Sequence, residues 1–149
     1  MRALFWNIRG YGHAGRRTQL RDYIRKEGID TVGLQETIKS DFRHQDVLAI
    51  DPLERFSWHH SPANGHSGGM LLGFCGATYE VLSWEAGTFF LAANIRVRAS
   101  LCELVVVQVY GPADHSRSAE FLGELEAKVL AVAATQIPLL VGGDFNLIR

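Results

Sequence analysis

Apolar and polar positions follow two alternating periods along the chain. Ala3-Leu4-Phe5-Trp6 is a short apolar run that stops at Asn7, and Gly10, Gly12 and Gly15 follow it, which predicts a strand feeding a loop. In Arg16–Glu27 the residues Leu20, Tyr23 and Ile24 fall at i, i+3 and i+4 and predict an amphipathic helix, with Gly28 as its stop. Asp30–Gln35 predicts a second strand, whereas Asp41–Ile50 fits neither period and ends at Pro52. Arg55–His60, Gly69–Phe74, Thr78–Trp84, Thr88–Val97 and Leu101–Tyr110 are strand-like segments separated by Gly, Asn, Pro or Ser, and predict a largely antiparallel block. Helical period returns over Ser116–Ala134 through Leu122, Leu125, Val129 and Val132, with Glu124 and Lys128 paired at i, i+4 on the other face. Pro138 ends that helix, and Leu139-Leu140-Val141 reads as a buried strand running into Gly142-Gly143-Asp144. With no repeat or linker in this order, residues 1–149 are expected to form one α/β sandwich in which helices cover stacked sheets.

Composition sharpens this only slightly. With 47 % hydrophobic and 21 % charged residues in 149, the chain can bury a core and is neither disordered, collagen-like nor a coiled coil. A net charge of -1 provides no global cationic field, so any anionic partner has to be held locally. Cys75 and Cys102 lie in apolar stretches without metal spacing and read as buried thiols of a reducing compartment. Met1 leads directly into RALFWNIRG without a signal-peptide pattern, and no apolar run approaches the ~18 residues of a membrane span, so an intracellular protein without membrane contact is expected.

Four of the apolar strands end in polar residues: Asn7 after the first, Gln35-Glu36-Thr37 after the second, Tyr110-Gly111-Pro112 after Val105–Val109, and Asp144-Phe145-Asn146 after the last. Converging strand ends are where α/β enzymes carry their sites. Each group also has a plain structural explanation: Asn7 closing a strand by an Asx turn, Glu36 solvated beside a helix start, Tyr110 a core ring with its hydroxyl at the rim, Asp144 and Asn146 forming a turn.

The segments LFWNIRG, TVGLQET, HSGGMLLG, VVQVYGP and LLVGGDFNLIR, in this order and over Ala3 to Arg149, resemble the endonuclease/exonuclease/phosphatase superfamily. They are most similar in flavour to the apurinic/apyrimidinic-type endonuclease domain of LINE-type non-LTR retrotransposons. Arg9 fits that subgroup, because the cellular abasic-site repair nucleases carry an acidic residue there, and the resemblance leaves one metal contact of those nucleases without its carboxylate. The resemblance implies a four-layer, deoxyribonuclease-I-like α/β sandwich that hydrolyses DNA phosphodiesters with Mg²⁺, or Mn²⁺ in its place. It assigns Glu36 as principal metal ligand with Asn7 beside the metal, Tyr110 and Asn146 as donors to the phosphate, and Asp144 as general base or water-orienting carboxylate. Such roles suit the residue types, since Mg²⁺ takes one or two carboxylates and several waters, and neutral amides add no repulsive charge. Ser67-Gly68-Gly69 resembles the family's SGG, and a bulge at a strand start is the better account of it.

In the resembled family further strands follow and end in an Asp-His pair, whereas every histidine here (His13, His44, His59, His60, His66, His115) precedes Asp144. The expectation is therefore a C-terminally truncated domain, either part of a longer element or a copy that no longer cuts and serves at most as a binding module. Another phosphoesterase of the superfamily, acting on inositol phosphates or sphingolipids, is the remaining alternative. Uncovered sheet edges would favour self-association. Arg17, Arg21 and Arg25 recur at i+4 and, with Arg9 and Arg16, form a local basic strip that suits phosphates or is simply a solvated helix face. DNA as partner and a nuclear location follow from the resemblance alone.

Overall fold

The computed structural model describes residues 1–63 and 68–147. Its strands are β1 (Ala3–Asn7), β2 (Thr31–Gln35), β3 (Phe56–Ser61), β4 (Met70–Cys75), β5 (Tyr79–Ala86), β6 (Phe90–Val97), β7 (Glu103–Tyr110) and β8 (Leu139–Asp144). Helix α1 spans Ala14–Glu27, α2 His44–Leu48 and α3 Ser118–Ala133, the last preceded by a 3₁₀ turn at His115–Arg117. One sheet has the order β1-β2-β4-β3 and the other β5-β6-β7-β8. Each mixes directions, because β1/β2 and β7/β8 are parallel and the remaining pairs antiparallel. The strand block read from the sequence is thus antiparallel throughout, but it divides between two sheets after Cys75.

Three apolar layers separate four layers of structure, as expected of the deoxyribonuclease-I-like sandwich. Leu20 and Ile24 of α1 pack with Val32, Leu34 and Leu71 on the outer face of the first sheet. Met70, Leu72, Phe74, Leu91, Ile95 and Val106 fill the space between the sheets. Phe121 and Val132 of α3 close the second sheet over Ala92, Val105, Val107 and Val109. Because both faces of these strands are covered, they read as continuous apolar runs, and alternate residues serve opposite layers.

Local signals place the ends. Gly28 adopts φ 60° and its N–H returns to the Ile24 carbonyl, the left-handed stop that glycine permits. The ambiguous 41–50 stretch forms α2, where the Asp46 carboxylate accepts from the Arg43 N–H at 2.9 Å. Buried Asp51 then accepts from the N–H groups of Arg55 and Phe56 and from the Trp58 indole, which fixes the entry to β3.

Several expectations fail in detail. Tyr23 is 47 % exposed and Leu122 likewise, so the buried stripes of α1 and α3 are narrower than their periods imply, and Phe121 anchors α3 instead. Glu124 and Lys128 do not pair: Glu124 accepts from the Thr88 and Phe89 N–H groups and Lys128 reaches Glu85, because this face of α3 lies over the β5–β6 turn rather than in solvent. Cys102 is exposed in the turn before β7 and Cys75 half-buried at the end of β4, both free, since each apolar run stops at the residue concerned. Among the described residues no helix is long and apolar enough to cross a membrane.

Burial raises the Tyr79 phenol to about 12, helped by the Asp30 charge, and raises Tyr11 further, its hydroxyl donating to the Asp46 carbonyl at 2.6 Å. Since the folded-state values lie above the unfolded value near 10, stability should be flat below pH ~10 and fall as pH rises from there towards 12. Urea midpoints measured from pH 8 to 12 check this, and Tyr79→Phe should flatten the decline.

Candidate active site

Strand parity decides which side chains meet. In β1, Leu4 and Trp6 pack towards α1 while Phe5 faces the second sheet, so Asn7 at the strand's end shares the inter-sheet side with Phe5. By the same count Val106 aligns with Tyr110, and Leu140 with Asp144. Register brings the ends level: Asn7 lies opposite Gln35, and Tyr110 opposite Asp144. The carboxyl ends of β1, β2, β7 and β8 therefore meet at one end of the sandwich.

There the Asn7 Nδ2 donates to Asp144 Oδ2 at 2.7 Å, a direct bond between the two sheets. Asn7 Oδ1 also accepts from the Arg9 N–H at 3.2 Å, so the Asx-turn and site readings of this residue hold together. Asp144 Oδ1 accepts from the Asn146 N–H at 3.1 Å, and Asn146 Nδ2 donates to the Gly111 carbonyl at 2.9 Å. One N–H of that amide is engaged and one is left for another acceptor. The Gly111 N–H donates in turn to the Asp144 carbonyl at 2.7 Å, tying the two loops together.

Glu36 and Tyr110 converge on Gly68. A Cβ there would lie 2.9 Å from both Cα and Cγ of Glu36 and 3.2 Å from the Tyr110 hydroxyl, so only glycine admits both groups. Gly69 has φ 74° and its carbonyl accepts from the Thr37 N–H at 3.2 Å, while the Gly68 carbonyl accepts from Ile38 at 2.5 Å. The doublet thus prolongs the β2/β4 pairing past the strands and lets the chain pass close to Glu36, rather than forming the expected bulge; Ser67 lies outside the described residues. Burial, and next the negative charges of Glu36 and Asp144, push the Tyr110 phenol up, which keeps it a protonated donor at neutral pH.

Arg9 and Arg16 line an open depression with Phe5, Trp6, Asn7, Ile8 and Asp144. Arg16 Nη1 is fixed there by the carbonyls of Ile8, at 2.8 Å, and Arg9. Arg17 instead donates to the Tyr11 carbonyl at 2.8 Å and lies over the Tyr11 ring, and Arg21 sits beside Asp22 on the exposed helix face. The basic strip is therefore divided, with Arg9 and Arg16 at the site and Arg17, Arg21 and Arg25 outside its lining.

Backbone strain gathers at the same place. Arg9, Glu36, Ile38 and Asn146 all take φ between 48° and 56°, a region that non-glycine residues seldom occupy and that tends to collect at functional sites, while Glu54, Leu101 and Gln136 take such φ elsewhere. In the sequence Arg16 stands only as part of the basic strip and Gly68 only as part of the glycine doublet ahead of a strand; that they lie at the strand-end site is visible only in the fold. Among the described residues no three His, Cys, Asp or Glu side chains gather into a metal cluster. The donors at hand are carboxylate and amide oxygens, which fit a hard cation that keeps several waters.

The protein-family model of the Endonuclease/Exonuclease/phosphatase family matches residues 4–148. The chain belongs to this family. Its members are generally dependent on divalent metal, in keeping with the oxygen donors at the strand ends. The human Nocturnin catalytic domain, solved with bound sulfate, superposes with a TM-score of 0.76 at 18 % identity, over 99 % of this chain and 64 % of that one. D. rerio TDP2, solved with a single-strand DNA product, gives 0.71 at 17 % identity over 99 % and 61 %. ANGEL2, a 2',3'-cyclic phosphatase in complex with adenosine-2',3'-vanadate, gives 0.76 at 14 % identity over 99 % and 54 %. The chain thus spans less than two thirds of these relatives, and at such identities they establish the fold of this Endonuclease/Exonuclease/phosphatase family member. A search of curated proteins finds no match.

Gly68→Ala should displace Glu36 and the Tyr110 hydroxyl from one another while leaving the three cores intact. We expect a loss of about 1–3 kcal/mol of stability from the crowding, read from urea midpoints.

Proposed function

We propose that this family member is a Mg²⁺-dependent phosphodiesterase that nicks DNA, of the apurinic/apyrimidinic type found in LINE-type retrotransposons. The observation that carries the reading is the Asn7–Asp144 bond at 2.7 Å joining the two sheets where Glu36 and Tyr110 also converge. Glu36 and Asn7 would hold the cation, whose chemistry is to neutralise phosphate charge and polarise the phosphoryl oxygen. Tyr110, held protonated, donates to a non-bridging phosphate oxygen. The Asp144 carboxylate, oriented by the Asn7 and Asn146 donors, takes the proton of the attacking water. The spare N–H of Asn146 donates to the phosphate as its charge redistributes. Arg9 and Arg16, at the rim of the depression, meet the flanking phosphates.

Conversion of supercoiled plasmid to the nicked form with Mg²⁺ tests this. Glu36→Ala and Asp144→Ala should each reduce nicking about 10²-fold or more while the circular dichroism spectrum stays unchanged. A folded wild-type chain that cuts nothing would leave a binding module in place of an enzyme. The two edge strands β1 and β8 end their sheets on the same side of the sandwich, which supports self-association of this chain; sedimentation as a monomer at micromolar concentration would refute that part.

A further inference from the structure

Ile38 is out of place by two physical criteria. It is a β-branched residue at φ 54°, a backbone conformation in which such side chains are outliers, and it leaves 63 % of its surface in water. Neither the interior nor the backbone gains from isoleucine here, since asparagine or glycine would take this φ with less strain and no apolar exposure. Its backbone is nevertheless fixed: the Ile38 N–H donates to the Gly68 carbonyl and the Thr37 carbonyl receives the Tyr11 N–H at 2.9 Å, while Ile38 Cδ1 stands 3.8 Å from where a Cβ on Gly10 would lie. It stands two residues from Glu36 and beside the turn that carries Arg9.

The surroundings name the chemistry. Ile38 is not in the lining of the depression formed by Arg9, Arg16 and Asp144. It walls a second depression with Lys39, Ser40, Asp41 and Arg43. That second depression is no anion trap, because Lys39 and Arg43 both lie against the Asp46 carboxylate, at 3.2 and 3.7 Å, and Asp41 adds another negative charge. It offers an apolar knob ringed by balanced donors and acceptors. An inositol phosphate offers only small C–H patches between hydroxyl and phosphate groups, and an acyl chain needs a continuous apolar surface rather than one residue. A nucleobase has both a flat apolar face and a polar edge.

We infer that Ile38 is a specificity-determining residue, which packs against the face of the base adjoining the phosphate held at Glu36, with Ser40, Asp41 and Arg43 meeting that base's edge. This rests on the phosphodiesterase reading above and narrows its substrate to a strand whose base is unstacked at the cut. The strain at position 38 is then kept for substrate selection.

The experiment measures binding, so that it does not depend on turnover. Fluorescence anisotropy of the full chain is compared on a labelled 12-nucleotide DNA strand and on a strand of equal charge and length built from abasic units. Wild type should bind the strand with bases more tightly than the abasic one by roughly four-fold, the factor that burying about one methylene's worth of apolar surface supplies. Ile38→Asn should erase that preference, leave abasic binding unchanged, and keep or raise the thermal midpoint. Ile38→Leu should retain the preference. Equal binding of the two strands by wild type, or a preference untouched by Ile38→Asn, overturns the inference. So does a preference for anionic vesicles that Ile38→Asn abolishes, which would make the knob a lipid contact. Plasmid nicking run in parallel separates the two readings: base preference without nicking retains the role of Ile38 and removes the catalytic assignment.

Discussion

The close approach of the two sheets beneath the site governs the rest of the molecule. The Phe5 ring lies where side chains at Gly33 and Gly142 would otherwise stand, a Cβ on either falling within 2.6 Å of it. Alongside, the buried Gln108 donates its amide to the Leu34 carbonyl at 2.6 Å, a polar strut across an apolar layer. These contacts sit one strand step below Asn7, Glu36, Tyr110 and Asp144. A larger residue at 33 or 142 would part the sheets there, and the Asn7–Asp144 bond would be the first to break. The strut is incomplete, since Gln108 Oε1 is buried without a partner among the described residues, and an unmet acceptor in such a layer is retained against a stability cost.

Above that floor, order is obtained by backbone rather than by side-chain bulk. Glu36 and Ile38 both take left-handed φ, and the carbonyls and N–H groups between them are met by Gly10, Tyr11, Gly68 and Gly69. Hydrogen bonds from two neighbouring segments thus over-determine a turn that neither would adopt alone. Asn146 is handled in the same way by Asp144 and Gly111. Carboxylates on turns held from both sides are presented with little freedom, which is what preorganised electrostatics requires.

The strands, their order along the chain and the polar residues at their ends were legible because buried strands write continuous apolar runs that stop where the sheet stops. Leu4–Asn7 and Val105–Tyr110 are of this kind. What one chain segment cannot record is its neighbour in another. Tyr23 and Leu122 carry the right period, yet the helices are turned so that Leu20, Ile24 and Phe121 take the contacts. Glu124 and Lys128 form a plausible helical pair until the β5–β6 turn supplies better partners, two backbone N–H groups and a carboxylate. The basic strip is divided for a similar reason: Arg17 finds the Tyr11 carbonyl and ring six residues back, while Arg16, one position away, is carried towards the site.

Glycine is where the two levels of description diverge most. Gly28 and Gly68 look alike in sequence, one read as a helix stop and the other as a strand-start bulge. The first needs only its own backbone, whose φ of 60° and return to Ile24 are set within a single turn. The second owes its place to atoms at the ends of β2 and β7 that are distant in the chain, Glu36 just after the one and the Tyr110 hydroxyl closing the other. A glycine demanded by conformation can be read from its neighbours in sequence, whereas a glycine demanded by close approach becomes legible only when the opposing strand ends have been brought together. The candidate site is built on the second kind, so its residue types could be read in advance but the spacing that joins them could not.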